Sequence, residues 1–302
     1  MGGVPQGSKL GPIAFVVKIN MLPSVIAEAV VGNGNNDVVV DEDTILFMDD
    51  TTISEALDVH NHISGTEIGN IPQKINSVKN FAEIERMELN PKKCKEMIID
   101  FRKDRTAIPA TEVDECILER VSSYKLLGLW LDDDLKWRTN TEYIVKKAAK
   151  RLYLLKNLKG YNAPRDDLKT IYTSAIRSIV EYGAQIWHGS LTEEQSRDIE
   201  RIQKRAMKII CPEKNYEQAL TECGIKTLES RRELMCINLI KDIKDPSHKL
   251  NDLLPPTVGQ LRERDTRLNV NKIYNFKCRT ERFRNSPLVY AIRKYNLKID
   301  DS

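Results

Sequence analysis

Two adjacent carboxylates, Asp49 and Asp50, are the residues of this sequence best suited to carry chemistry. The residues on either side of them, 44–48 and 51–53, are apolar, aromatic or β-branched, which favours β-strands. We therefore predict a tight hairpin over residues 44–53 that presents both acids at its tip. Carboxylates at a strand end supply the oxygen ligands that Mg²⁺ prefers, together with water and substrate phosphates. Taken alone, such a pair is more often a solvated turn, so the neighbouring motifs decide between the two interpretations.

Three other segments have compositions that suit contact with a nucleotide or a nucleic acid. Residues 3–12 read Gly-Val-Pro-Gln-Gly-Ser-Lys-Leu-Gly-Pro, a composition that excludes a regular element and lets the backbone approach a ligand closely. Residues 89–95 read Leu-Asn-Pro-Lys-Lys-Cys-Lys, a basic turn, and residues 124–128 read Tyr-Lys-Leu-Leu-Gly. A plain loop and a solvated basic surface are the alternative interpretations of the first two segments.

In this order, the four segments resemble consecutive blocks of the reverse transcriptases of non-LTR (LINE-type) retrotransposons. The resemblance implies that Asp49 and Asp50 are catalytic and bind the metal. It implies contacts with the template and the incoming nucleotide for Pro5, Gln6, Gly7, Ser8 and Lys93, and a primer-grip role for Leu127 and Gly128. The order of the blocks carries more weight than any one of them.

The same resemblance implies an α+β fold with three regions. Residues 1–135 would form a partial polymerase palm, an antiparallel sheet with packed helices that ends in the primer-grip hairpin. Residues 136–250 would form an all-α, thumb-like or connector region, and residues 251–302 a basic carboxyl-terminal tail. The implied function is that of a fragment of an RNA-directed DNA polymerase, with an RNA template, a DNA primer and dNTP as partners. The implied chemistry is two-metal nucleotidyl transfer with Mg²⁺, or with Mn²⁺ as the alternative.

Such a site needs a further aspartate from an earlier palm strand, and in the family both this residue and the fingers precede the first block. Asp43 cannot replace it, because six extended residues at about 3.3 Å each separate it from Asp49 by roughly 20 Å. We therefore expect an amino-terminally truncated copy, without the first palm and fingers segment, that is inactive alone. The alternatives are a catalytically inactive remnant that at most binds nucleic acid, and a helical interaction protein built from residues 139–245.

The elements that must position these residues follow from hydrophobic spacing. Apolar stripes at helical spacing predict three helices: one over residues 71–84, one that begins near residue 139, and one between Pro164 and Gly183. A capping-box pattern at Thr192–Gln195 predicts the start of another helix, and a last one is expected over Leu228–Ile243. Asn90-Pro91 should end the first helix, a short strand should follow at residues 97–99, and residues 121–131 alternate as a buried strand. The acids of 132–134 should close that strand as a solvated turn.

Composition and charge narrow the cellular setting. No apolar stretch approaches the ~20 residues of a membrane span, and no signal-peptide pattern opens the chain, so we expect an intracellular protein of the nucleus or cytoplasm that is not secreted. The six cysteines form no Cys-x-x-Cys pair and should be free thiols. Residues 19–73 carry ten acidic residues and no Lys or Arg, whereas residues 258–302 carry eleven basic residues against five acidic ones, net +6. The tail is therefore the predicted source of nucleic-acid affinity.

Overall fold

A computed structural model describes residues 44–47, 50–56, 70–87, 89–103, 108–113, 116–261, 269 and 271–300. The chain divides into two compact units, Met1–Ser122 and Ser123–Ser302. Helices and small sheets occur together, which confirms the predicted mixture of α and β structure. The functional boundaries expected at residues 135 and 250 stay predictions.

The first unit contains the predicted hairpin. Strand β1 (Thr44–Phe47) pairs with the antiparallel strand β2 (Asp50–Ile53), with Thr44 opposite Ile53 and Phe47 opposite Asp50. Residues 48 and 49 connect the strands in sequence and lie outside the described residues. The expected hairpin is thus confirmed, and Asp50 is the first residue of its second strand.

Helix α1 (Ile71–Ile84) follows, with Val78 and Phe81 buried as its apolar stripe predicts. Two expectations for this helix are wrong. Ile84 is 77% exposed, and the helix ends there rather than at Asn90-Pro91. The backbone of Arg86 turns to a positive φ of 56°, which an α-helix cannot continue.

The remaining strands of the first unit have two residues each. Strands β3 (Lys95–Glu96) and β6 (Glu119–Arg120) form a parallel pair, and β4 (Glu112–Val113) and β5 (Cys116–Ile117) form an antiparallel pair. The strand expected at residues 97–99 is therefore found at Lys95–Glu96, immediately before the predicted residues. Side chains fix this register: Arg120 bonds to the Glu96 carboxylate at 2.8 Å, and Glu96 also accepts from the Thr111 hydroxyl.

The second unit opens with another hairpin. Strand β7 (Ser123–Leu126) pairs with β8 (Leu129–Asp132), and Leu126 lies opposite Leu129. The expectation of one continuous strand over residues 121–131 is therefore wrong, because the chain reverses at Leu127-Gly128.

Helices form the rest of the second unit, beginning with α2 (Arg138–Gly160) and α3 (Arg165–Ile171). A π-helical turn (Tyr172–Arg177) joins α3 to α4 (Ser178–Glu181), and α5 (Ala184–Trp187) leads into a 3₁₀ turn (His188–Ser190). The longer elements that follow are α6 (Glu193–Ile210), α7 (Tyr216–Cys223) and α8 (Leu228–Ile243). A 3₁₀ turn (Asn251–Leu253), α9 (Val258–Leu261), α10 (Glu281–Arg284) and α11 (Pro287–Asp300) complete the unit. No helix in the described part of the chain is long and apolar enough to cross a membrane.

The main core of this unit lies between α2, the α3–α4 segment and α6–α8. Its centre contains Leu155, Leu168, Trp187 and Ile199, all fully buried. A polar chain crosses it: the Tyr172 hydroxyl donates to the Gln203 side-chain oxygen, and the Gln203 amide donates to the Tyr216 hydroxyl at 2.9 Å. Because both polar ends of Gln203 are bonded, its complete burial carries little cost.

A smaller core joins the carboxyl-terminal segment to α8. Cys236 and Ile240 of α8 pack with Ala291 and Ile292 of α11, and Ile273 closes the cluster. The Asn296 side chain accepts from the Ile273 backbone N–H at 3.0 Å and donates to its carbonyl at 2.7 Å. The carboxyl-terminal region therefore contains a helix that belongs to the folded unit.

Candidate functional site

The catalytic candidates fall on the β1–β2 hairpin. The backbone of Asp50 begins β2 opposite Phe47, whereas Asp49 lies outside the described residues. Pro5, Gln6, Gly7 and Ser8 also lie outside them.

Lys93 occupies an exposed turn before β3. Its backbone N–H donates to the Asn90 carbonyl at 3.0 Å, and the side chain forms no ion pair with another described residue. Lys95, two residues on, is paired with Glu119. Lys92 and Lys93 are both exposed in this turn, so either is available to a phosphate.

Leu127 and Gly128, the two primer-grip candidates, form the turn between β7 and β8. Both have positive φ, 46° and 88°, as in the two-residue turns whose twist matches that of a hairpin. A glycine suits the second position, while Leu127 adopts a conformation that costs a non-glycine residue about 1–2 kcal/mol. The Tyr182 hydroxyl donates to the Leu127 carbonyl at 2.8 Å and holds the turn in this shape.

Tyr182 and Gly183 pack closely against the β7–β8 hairpin. A Cβ added at Gly128 would lie 3.2 Å from Cε1 of Tyr182, and one added at Gly183 would lie 2.8 Å from Cδ1 of Leu129. The apolar spacing between Pro164 and Gly183 predicts Tyr182 on the buried stripe of that helix, but the residue is exposed and its hydroxyl bonds to a carbonyl 55 residues earlier. No local sequence pattern signals this contact, since it joins a hairpin to the end of a distant helix.

A cluster of cations and aromatic rings borders the same hairpin. The Lys125 ammonium donates to the Tyr143 hydroxyl at 3.1 Å and lies 4.6 Å from the centroid of its ring. Lys147 approaches the ring from α2 at 5.6 Å, and Trp130 meets it edge-on. The hydrogen bond from Lys125, aided by the nearby charges, lowers the pKa of Tyr143.

Helix α2 extends this cluster into a basic surface. The helix carries seven basic residues against one acid, Glu142, and this acid pairs only with Lys146. Lys146, Lys150, Tyr153 and Leu154 recur at helical spacing on the face opposite the buried stripe. Tyr153 is 70% exposed, so an aromatic ring stands among the cations. We call Lys146, Lys147, Lys150 and Tyr153 the α2 surface.

The expectation of a solvated turn over residues 132–134 is wrong for Asp132, the last residue of β8, whereas Asp133 and Asp134 do form a turn. Asp132 is only 8% exposed and accepts from the Thr139 backbone N–H at 3.2 Å, which caps the start of α2. Burial would raise the pKa of Asp134, but the Lys136 backbone N–H and the charges of Lys136 and Arg138 outweigh it and lower that pKa. Asp132 and Asp134 fix the path from the hairpin into α2.

Comparison with known proteins identifies the amino-terminal part of the chain. Residues 1–131 match the family described as reverse transcriptase (RNA-dependent DNA polymerase). Over 223 residues the chain is 24% identical to the RNA-directed DNA polymerase from mobile element jockey of Drosophila melanogaster. Residues 1–131 are a reverse transcriptase segment of the non-LTR, LINE type. The predicted family is thereby confirmed.

The likeness to jockey covers 69% of this chain and 22% of the relative, so the chain spans about a fifth of that protein's length. Within the helical unit, residues 137–178 match the family described as alkylated DNA repair protein alkB homolog 8, N-terminal. No solved structure matches the chain. The reverse transcriptase match thus ends at the β7–β8 hairpin, and that second match covers α2 and α3.

Reverse transcriptases generally depend on divalent metal ions. Among the described residues no three His, Cys, Asp or Glu side chains form a cluster that could hold a metal ion by themselves. Within the reverse transcriptase match, Asp50 at the start of β2 is the predicted metal ligand that the structure describes.

Proposed function

We propose that this chain supplies the catalytic hairpin and the primer-positioning turn of an RNA-directed DNA polymerase. The observation that carries the proposal is the antiparallel pairing of β1 and β2 around the Asp49-Asp50 pair, inside the segment that matches reverse transcriptases. An RNA template, a DNA primer and dNTP are the corresponding partners.

The donor chemistry of this hairpin fits a divalent cation. Asp49 and Asp50 would hold Mg²⁺, which supplies charge stabilisation at the phosphates and a lowered pKa for the attacking hydroxyl. Lys93 would place a positive charge against the triphosphate, and the stiff Leu127-Gly128 turn would fix the position of the primer end. Because phosphoryl transfer depends on positioning and charge, the loss of any of these roles should lower the rate.

Primer extension tests the catalytic role. We expect no extension of oligo(dT) on poly(rA) by residues 1–302 alone. Fusion of a related fingers and first-palm segment ahead of Gly3 should restore extension, because the fused segment adds a carboxylate and holds the nucleotide. In that fusion, Asp49→Asn should lower the rate at least about hundredfold, with a smaller loss for Asp50→Asn.

Asp133→Asn is the matched control, since Asp133 lies on the β8–α2 connection and forms no ion pair with another described residue. Full activity of the Asp49→Asn fusion would overturn the catalytic assignment. Extension by the unfused chain, abolished by Asp49→Ala, would reveal a replacement carboxylate within residues 1–302.

The α2 surface favours a second candidate function, nucleic-acid binding without catalysis. Lys147→Ala combined with Lys150→Ala should weaken binding to an RNA–DNA duplex and reduce the slope of log K against log salt by about 2, because each lost phosphate contact removes about 0.9. Lys241→Ala with Lys249→Ala removes the same charge from exposed positions outside this surface. An equal loss for both pairs would mean that net charge alone drives binding.

A further inference from the structure

Residues 274–284, between Ile273 and the start of α11, form an exposed segment that combines aromatic rings with cations. We call it the aromatic-basic loop; its last four residues form the short helix α10. It contains Tyr274, Phe276 and Phe283 and four basic residues against one acid. Neither the reverse transcriptase match nor the alkB homolog 8 match reaches it.

Both ends of the loop are fixed to the folded unit. At the start, Asn296 holds Ile273 through two backbone hydrogen bonds and also donates to the Asn275 side-chain oxygen at 3.1 Å. At the end, the Ser190 hydroxyl donates to the Asn285 carbonyl at 2.9 Å. The loop therefore presents its side chains from a rigid base, which reduces the entropy lost when a ligand binds.

The aromatic rings of this loop lie outside the hydrophobic core. Phe276 is 36% exposed and Phe283 is 43% exposed, and neither belongs to the cluster of Ile273, Ala291 and Ile292. The two phenylalanine rings meet edge to face, with centroids 6.0 Å apart. This contact orders the rings and leaves ring surface open to solvent.

The cations beside these rings retain charge for a ligand. Arg284 pairs with Glu281 at 2.7 Å, the one acid of the loop. Lys277 and Arg279 are exposed and form no ion pair with another described residue. A site for single-stranded nucleic acid needs aromatic rings on which bases stack and cations that bind the phosphates. The exposed rings and unpaired cations of this loop supply both.

We propose that the aromatic-basic loop binds single-stranded nucleic acid, with bases on Phe276 and Phe283 and phosphates on Lys277 and Arg279. A duplex suits this surface poorly, because its base faces are already stacked on each other. An acidic protein segment would satisfy the cations but would leave the rings without stacked partners. The proposal extends the proposed function by separating a single-strand site from the α2 surface, and it stands independently of polymerase activity.

Fluorescence anisotropy with the whole chain and labelled rU20, dT20 and an RNA–DNA duplex tests the proposal. Phe276→Leu with Phe283→Leu keeps apolar bulk but removes the π faces, so affinity for the single strands should fall about tenfold or more, with little change for the duplex. Phe101→Leu is the matched control, because Phe101 is comparably exposed in the other unit. Tighter binding of rU20 would identify RNA as the ligand, and tighter binding of dT20 would identify DNA.

A charge variant supplies an independent readout. Lys277→Ala with Arg279→Ala should reduce the salt slope for rU20 by about 1.4, at about 0.7 per lost contact. Lys241→Ala with Lys249→Ala should leave this slope nearly unchanged. Equal loss of duplex and single-strand binding in the phenylalanine variant, or no loss of either, would overturn the proposal.

Photocrosslinking of the unaltered chain to 4-thiouridine RNA avoids any question about variant folding. Crosslinks should map to residues 274–284. Crosslinks confined to the α2 surface would reject the loop as the site, while the polymerase proposal would stay open to its own primer-extension test.

Discussion

At the scale of single residues, burial beside an arginine keeps His188 uncharged. Arg232 is fully buried, donates from Nε to His188 Nδ1 at 3.3 Å and from Nη2 to the Ser196 hydroxyl at 3.1 Å. Its guanidinium also lies 5.8 Å from the centroid of the Trp187 ring. Burial, together with the positive charges of Arg232 and Lys294, lowers the pKa of His188 to about 3. His188 is therefore neutral in the folded protein and accepts the bond from Arg232.

This arrangement makes stability depend on pH. His188 has a folded-state pKa of about 3 against an ordinary value of 6.5, so between these values the unfolded chain binds more protons. Stability is therefore lost as pH falls below 6.5, by about 2 kcal/mol at pH 5. His188→Asn keeps an acceptor for Arg232 and should remove most of this dependence. Urea unfolding at pH 7.5 and pH 5 measures the difference, and an unchanged dependence in the variant would contradict the assignment.

The Leu127-Gly128 turn gives a second residue-scale prediction. Gly128→Ala should destabilise the second unit by about 1–2 kcal/mol, because a side chain is forced into a left-handed conformation. Tyr182→Phe should cost about 1 kcal/mol through the lost bond to the Leu127 carbonyl. Gly160→Ala is the control, since no atom lies within 4 Å of the added Cβ. Chemical denaturation should show losses for the first two variants and none for the control.

At the scale of elements, the sequence predicts best where the signals are local. The bounds of α8, Leu228–Ile243, agree with the prediction, and the capping box at Thr192 and Gln195 forms in both directions. Local signals do not reveal the π-helical turn. Because this turn accommodates an extra residue, the buried positions recur every four residues at Tyr172, Ile176 and Val180. The apolar spacing predicts Tyr172 correctly but continues the stripe at Ala175 and Ile179.

The candidate site also combines features that local sequence predicts with contacts that it does not predict. The β1–β2 hairpin follows from composition and from a two-residue connection, so it is visible in the sequence. The contact between Tyr182 and the Leu127-Gly128 turn is invisible there, because it depends on how α4 ends against a hairpin 55 residues earlier. Local chemistry thus identifies the candidate residues, and long-range packing determines how they are held.

Helix α11 gives the element-scale prediction. It docks on the 3₁₀ turn at Gly189, where an added Cβ would lie 2.6 Å from Cγ of Tyr290 and 2.8 Å from the Asn285 carbonyl. Gly189→Ala should therefore destabilise the second unit by about 1–3 kcal/mol through overpacking. Hydrogen exchange should show faster opening of α11 and of residues 271–286 than of α2. Uniform exchange across the unit, or no change, would contradict local docking at Gly189.

At the scale of the whole molecule, the carboxyl-terminal region contributes both positive charge and part of a hydrophobic core. Separate experiments are needed to test these two contributions. Its net charge of +6 over residues 258–302 suggests deletion as a test of nucleic-acid affinity. Deletion would also remove Ala291 and Ile292, and Cys236 and Ile240 of α8 would lose their packing partners. Lost binding would then report unfolding as readily as lost charge. Substitution at exposed residues separates the two effects.

The last prediction is that residues 123–302 fold without residues 1–122. Among the described residues, both hydrophobic clusters of the second unit consist of side chains from residue 129 onward. A fragment of residues 123–302 should therefore unfold cooperatively, with a thermal midpoint within a few degrees of the transition that this unit shows in the full chain. It should bind an RNA–DNA duplex through the α2 surface but lack the Asp49-Asp50 hairpin, and fusion to a fingers and palm segment without that hairpin should give no primer extension. Circular dichroism and filter binding measure folding and affinity. A fragment with native-like helix content but no cooperative transition would show that residues 1–122 are needed to order the helical core.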